Sequence, residues 1–207
     1  MVLTSDNLFF DDVLVFLVTL SGLSLGLKLQ KQRAVKRFGE RDNIIIHRKC
    51  CVMEYMFFPY ESFETIFKGQ WPTSFRLEES KSRTSPGAVF RSPAPLMRSD
   101  KDRHKEIFIR LLQAMFLRSY ESVKSMIEKK YGRSTQGWPD VLRFSWVIRN
   151  AFAHDGRITI YSRNLPKVSW GPLSYNFKDN GKKILFDEMG PGDTLKLMEE
   201  MDFELRK

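Results

Sequence analysis

Lys101–Lys130, KDRHKEIFIRLLQAMFLRSYESVKSMIEKK, runs thirty residues without glycine or proline and stops at Tyr131-Gly132. Phe108, Leu112, Met115, Phe116, Val123, Met126 and Ile127 recur near the helical period, while Lys105, Arg110, Arg118, Lys124 and Lys129 supply a wet, mostly basic side. Ser99 or Asp100 stands where an N-cap belongs, and Gly132 where a helix stops. The segment predicts a long amphipathic helix. A stripe of that length needs other elements to cover it, so the expected fold is mainly α.

Downstream, the next helix is marked at both ends. Trp138-Pro139-Asp140 places proline at the first helical position with an acid in the first turn, and Asp155-Gly156 supplies a glycine stop. Val141, Phe144, Ile148 and Phe152 repeat on one face between them. After Gly156 the pattern changes to period two, at Arg157–Tyr161, Val168–Trp170, Leu173–Phe177 and Lys182–Phe186, with Asp179-Asn180-Gly181 as a turn. A small antiparallel hairpin or meander is expected there. Asp193-Thr194 then caps a last helix, Leu195–Leu205.

Upstream, Val13–Leu27 (VLVFLVTLSGLSLGL) is fifteen residues without a charge, preceded by Asp11 and Asp12 and followed by a basic run. It is shorter than the roughly 20 apolar residues that a membrane-spanning helix needs. With acids where a secretory signal carries bases, it reads as a buried first helix, with an interfacial or short membrane helix as the alternative. Lys28–Lys49 carries eight basic residues against Glu40 and Asp42, which suits a solvated helix face or a nucleic-acid groove. Asn43–Phe67 is apolar and aromatic, expected to be helical on both sides of Pro59, although IIIH also fits a strand. Gln70–Ser99 is rich in Ser, Pro and Arg and reads as a linker or long surface loop. The expected organisation is an N-terminal helical region over residues 1–98, containing that linker, and a core over 99–207.

Thirty-four Lys+Arg against 25 Asp+Glu give a net charge of +9, which favours polyanionic partners. At 207 residues, 42% hydrophobic and 29% charged, the chain is globular in composition, and collagen-like, coiled-coil-only and wholly disordered classes fall away. Cys50 and Cys51 are adjacent and cannot staple distant segments, so a reducing, cytoplasmic setting is expected. His47, His104 and His154 lie far apart without HExxH or paired CxxC, so neither a metal nor any other cofactor is expected.

One stretch carries chemistry: Trp146-Val147-Ile148-Arg149-Asn150-Ala151-Phe152-Ala153-His154-Asp155-Gly156. On an unbroken helix Arg149 and His154 lie about 140° apart, whereas Asn150 and His154 share a face. If the helix ends at His154, the imidazole is released, and Arg149 and His154 flank one helix end. Two copies meeting across a dimer axis would gather two guanidinia and two imidazoles around one anion. That set suits metal-independent RNA cleavage, in which the 2′-OH attacks, an imidazole removes its proton, a cation stabilises the phosphoryl oxygens and an acid protonates the 5′-oxygen. The competing reading makes Arg149 and His154 simple partners of the helix's negative end.

Arg149-Asn150-Ala151-Phe152-Ala153-His154 resembles the R-x(4 to 6)-H signature of the HEPN superfamily, with a polar residue directly after the arginine. The wider context is similar to small bacterial members: RHKEIF and LLQAMF upstream, VIRNAFAHDGRI at the motif, then VSWGPLSY, DNGKKI and TLKLMEEMDFELRK. The resemblance covers roughly Ser99–Lys207. It implies an up-and-down helical bundle, a homodimer with the motif at its interface and, in catalytic members, endoribonuclease activity with Arg149, Asn150 and His154 as catalytic residues. It also implies RNA as partner and, for toxin or defence members, a nucleotidyltransferase-type antitoxin. Some members bind nucleotides or only dimerise, which is the alternative for this chain. Arg157, Arg163 and Lys167, with Trp170, are the candidate phosphate and base contacts in the segment after the motif, although Trp170 also suits the core. A membrane association is not expected.

Overall fold

The computed structural model describes residues 2–31, 44–47, 55–58, 72–76, 78–80, 98–163, 165–185 and 187–207. Four α-helices stand among them: α1 (Phe10–Lys31), α2 (Arg98–Tyr131), α3 (Asp140–Ala153) and α4 (Pro191–Arg206). The chain is mainly helical, with small antiparallel strand pairs beside the helices. Strands β1 (Val2–Thr4) and β4 (Ser74–Arg76) pair antiparallel, with Leu3 opposite Phe75. β2 (Ile44–His47), β3 (Tyr55–Phe58) and β5 (Glu78–Ser80) form a three-stranded antiparallel sheet in the order β2-β3-β5. β6 (Val168–Trp170) and β7 (Leu173–Tyr175) form a hairpin.

α1 carries the apolar run and buries one face of its first half. Phe10, Val13, Leu14, Leu17 and Leu20 lie against the core at helical spacing, and Asp11 and Asp12 sit in the first turn, where the helix dipole favours anions. Among the described residues no helix is long and apolar enough to cross a membrane. Two carboxylates place this helix. Asp12 accepts hydrogen bonds from Arg118 Nε at 2.9 Å and Ser119 Oγ at 2.8 Å on α2. Asp202, buried on α4, accepts from Asn7 Nδ2 at 2.7 Å, from the Leu8 amide at 2.8 Å and from Arg206 Nε at 2.8 Å. Leu3, Phe9 and the buried face of α1 thereby join one hydrophobic cluster with α2, α3 and α4.

α2 begins at Arg98, so Ser99 and Asp100 lie inside the helix rather than capping it, and it ends as expected at Gly132, whose φ is +85°. α2 and α3 run antiparallel. Phe116 meets Phe152 with ring centroids 5.3 Å apart, Glu121 meets Arg149, and Gln113 lies beside Gly156. The ends of α2 and α4 are joined by Lys130 Nζ, which donates to the carbonyls of Glu204 and Leu205 and so serves the carbonyl-rich end of α4. Glu204 accepts from Tyr131 Oη and Lys207 Nζ, and the Lys207 contact foremost holds its carboxyl below the ordinary carboxylate value. The β6–β7 hairpin packs on α3: Phe144 lies 5.6 Å from Trp170 and 5.7 Å from Tyr175 by ring centroid.

Several sequence expectations need correction. Tyr55–Phe58, expected to be helical, is a strand, and Ile44–His47 takes the strand alternative; β-branched and aromatic runs four residues long pair more readily than they nucleate a helix. Gln70–Ser99 is not wholly loop, because it contains β4, β5 and the first residues of α2. Arg157–Tyr161 and the described part of the second run, Lys182–Leu185, alternate but do not form strands. They meet through an isolated antiparallel bridge between Arg157 and Lys183, while Phe177–Asp179 is a 3-10 turn. α4 starts at Pro191, four residues before the expected Leu195, and Asp193 accepts from the Gly190 amide at 2.8 Å from within the first turn. Cys50, Cys51 and most of the Lys28–Lys49 basic run lie outside the described residues.

Candidate functional site

α3 positions the motif. Pro139 precedes its first residue, one position earlier than the expected placement, and the Pro139 carbonyl accepts from the amides of Leu142 and Arg143, both at 3.0 Å. Leu142, Phe144, Val147, Ile148, Ala151 and Phe152 are buried, which fixes the rotation of the helix and leaves Arg149 at its margin.

The helix ends where the histidine stands. His154 leaves the helical conformation, at φ −121° and ψ 53°, and the Ala151 carbonyl accepts from the His154 amide at 3.0 Å and the Gly156 amide at 2.8 Å. Asp155 (φ 54°) and Gly156 (φ 73°) are both left-handed, and the Arg157 amide donates to the His154 carbonyl at 3.0 Å. Two consecutive positive φ values closed by such a bond make a mirror-image reverse turn, the type that aspartate and glycine tolerate best. A Cβ at Gly156 would stand 3.4 Å from the Leu185 Cβ, an ordinary van der Waals contact, so it is the left-handed backbone rather than space that favours glycine there. The turn sits against α2, where Arg110, raised from its ordinary pKa first by its hydrogen bond to Glu106, also feels the charge of Asp155.

The chain then returns in extended form alongside the motif. Ile158 and Ile160 point inward at 1% exposure each, so the alternation turns Arg157, Thr159 and Tyr161 outward. Asn180 clamps this run through two bonds to Ile160, accepting from its amide at 2.6 Å and donating to its carbonyl at 2.9 Å. An open groove of about 490 Å³ results, lined by His154, Arg157, Thr159, Tyr161, Phe177 and Asn180 among others.

The three motif residues are placed in two groups. Arg149 donates through Nε to Glu121 on α2 at 2.8 Å, with Nη2 also 2.5 Å from that carboxylate, and through Nη1 to Asn150 Oδ1 at 3.2 Å. Asn150 is buried and His154 is exposed, and because the helix ends before His154 the i, i+4 relation of an unbroken helix does not apply to the pair. Exposed His154 instead meets Tyr161, whose Oη lies 2.9 Å from Nε2. Among the described residues no hydrogen bond or ring contact joins Arg149 to His154 within one chain.

Of the candidate substrate contacts, Arg157 lines the groove, with Nη1 donating to the Gly181 carbonyl at 2.9 Å. Arg163 is exposed, its guanidinium 5.4 Å from the Phe177 ring centroid, and Lys167 is exposed but does not line the groove. Trp170 is 8% exposed, and its Nε1 donates to Glu200 at 2.7 Å, so it is a core residue. Glu121 and Tyr161 were missed by the sequence reading. Period-two alternation alone could have turned Tyr161 outward beside Arg157, but no local pattern points from Glu121, 28 residues earlier, to Arg149. Among the described residues no cluster of three or more His, Cys, Asp or Glu side chains is arranged to hold a metal ion.

Comparison with protein-family models, curated proteins and solved structures finds no match to this chain. What the site can do rests on its own chemistry: an exposed imidazole at a helix end, a guanidinium held by a carboxylate, and an adjoining groove with cationic and aromatic walls.

Proposed function

We propose that this chain is a HEPN-like endoribonuclease that acts as a homodimer in the cytoplasm and cleaves RNA by 2′-OH transesterification without a metal. Its helices would form the up-and-down bundle of that superfamily, with Arg149 and His154 of two subunits facing one scissile phosphodiester. The observation that carries the reading is the placement of His154: exposed, released from helical geometry by the Asp155-Gly156 turn, and opening on a groove that holds Arg157.

His154 serves as base for the 2′-OH and, from the second subunit, as acid for the 5′-oxygen, since histidine is the side chain best suited to both proton roles near neutral pH. Arg149 stabilises charge on the phosphoryl oxygens, and Asn150, through its bond to Nη1, orients Arg149. Arg157, Arg163 and Lys167 contribute phosphate contacts. A nucleotidyltransferase-type antitoxin is the expected partner if the protein acts as a toxin or in defence.

The test is cleavage of labelled RNA by purified protein in EDTA. Products with a 2′,3′-cyclic phosphate and a 5′-OH are expected, His154→Ala should stop cleavage while leaving the dimer folded, and a metal requirement would refute the mechanism. The Glu121–Arg149 ion pair favours one second reading, a non-catalytic module that binds nucleotide or a partner through the same surface, because a guanidinium already neutralised is a weaker transition-state cation. Tight nucleotide binding with intact RNA selects that reading.

A further inference from the structure

Tyr161 is 70% exposed, so burial of its ring does not account for where it stands. Its position follows from three features of the chain. The left-handed pair Asp155-Gly156 reverses the backbone immediately after the helix. Buried Ile158 and Ile160, held by Asn180, set an inward phase that turns residue 161 outward. Seven residues after the histidine, the returning chain brings the phenol against the imidazole, with Oη 2.9 Å from Nε2 and ring centroids 6.3 Å apart in an edge-on arrangement at 72°.

We infer that Tyr161 is a positioning residue for His154: its hydroxyl holds Nε2, so that Nδ1 is the nitrogen that exchanges protons with a bound substrate. The inference rests on the ribonuclease reading for its catalytic half and on geometry alone for the tether. A phenol hydroxyl is suited to this role because it both donates and accepts. When the ring is an imidazolium, Nε2–H donates to Oη and Nδ1–H is free to be given to a leaving oxygen. After that transfer the ring is neutral, Nε2–H still donates to Oη, and the lone pair on Nδ1 is ready to take a proton from a 2′-OH. The tyrosine keeps its own proton throughout, and no tautomer exchange is needed between the acid and base steps. The hydrogen bond at one ring nitrogen thus decides the task of the other. It also restrains an exposed side chain that would otherwise sample several rotamers.

Two measurements test this on the full-length protein. In ¹⁵N-imidazole NMR, Tyr161→Phe should move the His154 Nε2 resonance and leave those of His47 and His104 unchanged; an unmoved His154 resonance overturns the tether. In RNA cleavage, Tyr161→Phe should lower kcat by about tenfold or more with KM unchanged, the signature of a misaligned catalytic group. Replacing His154 by Nδ1-methylhistidine should abolish cleavage while preserving the NMR signature of the tether; a methylated ring that still cuts shows that Nδ1 is not the working atom. If the wild type cuts no RNA but the resonance shift is seen, the ribonuclease reading fails and the tether stands.

Discussion

The Glu121–Arg149 pair sets up a quantitative test of whether Arg149 meets a phosphate. Both nitrogens of the guanidinium edge lie within hydrogen-bond reach of one Glu121 oxygen, and the two side chains retain 32% and 44% exposure for arginine and glutamate respectively. A pair so open to water is worth about 0.5–1 kcal/mol. An RNA phosphate approaching Arg149 must displace that carboxylate or share the guanidinium with it against like-charge repulsion. Glu121→Gln removes this competitor, so single-stranded RNA should bind about two- to fivefold tighter, since 1.4 kcal/mol corresponds to a factor of ten. Fold stability should fall by the same 0.5–1 kcal/mol or so. Fluorescence anisotropy with labelled RNA on a His154→Ala background measures the affinity without cleavage, and urea unfolding measures the stability. Weaker binding by Glu121→Gln would refute the reasoning, because it would mean that Glu121 prepares Arg149 for its ligand instead of competing for it.

Further outcomes follow from the packing. Asp202→Ala leaves the Asn7 amide group and the Leu8 N–H without their charged acceptor, so urea unfolding should show a loss of about 3 kcal/mol, larger than any surface substitution. Gly156→Ala must hold a left-handed φ of 73° beside the Leu185 Cβ and should cost about 1–2 kcal/mol, with the His154 turn disturbed in NMR spectra. Tyr120→Phe removes a buried hydroxyl that has no hydrogen-bond partner among the described residues and whose pKa burial pushes up, so stability should be unchanged or higher by about 1 kcal/mol. Glu204 has a lowered pKa, so its contribution is present above its ordinary value of 4.5 and is lost as pH falls through the lower folded value. Glu204→Gln should therefore flatten the acid limb of a stability-versus-pH curve measured by thermal unfolding.

The elements that are long and periodic were legible in the chain itself. α2 and α3 follow from the spacing of Phe108, Leu112, Phe116 and Val123, and of Phe144, Ile148 and Phe152, because a continuous apolar stripe has one conformation that buries it. Their stops at Gly132 and Asp155-Gly156 follow from the same local chemistry, since few other residues accept positive φ. The burial of Val13, Leu14 and Leu17 was equally local, a matter of length and charge. Short segments were legible only in part: the β6–β7 hairpin lies where period-two alternation placed it, and IIIH was open to either form. Ile44–His47, Tyr55–Phe58 and Ser74–Arg76 owe their extended form to partners elsewhere in the chain, and four residues carry too little periodicity to announce a strand.

The candidate site divides along the same line. That Arg149, Asn150 and His154 stand at the end of a helix is determined by sequence alone, because capping and turn preferences act between near neighbours. Which groups meet them was decided only by tertiary structure. Glu121 reaches Arg149 because α2 and α3 pack antiparallel, Asn150 turns inward because the core fixes the rotation of α3, and Tyr161 reaches His154 because the burial of Ile158 and Ile160 sets the phase of the returning chain. Contacts of that kind are settled by how apolar surfaces cover one another, and a side chain's neighbours then follow from packing that no local pattern records.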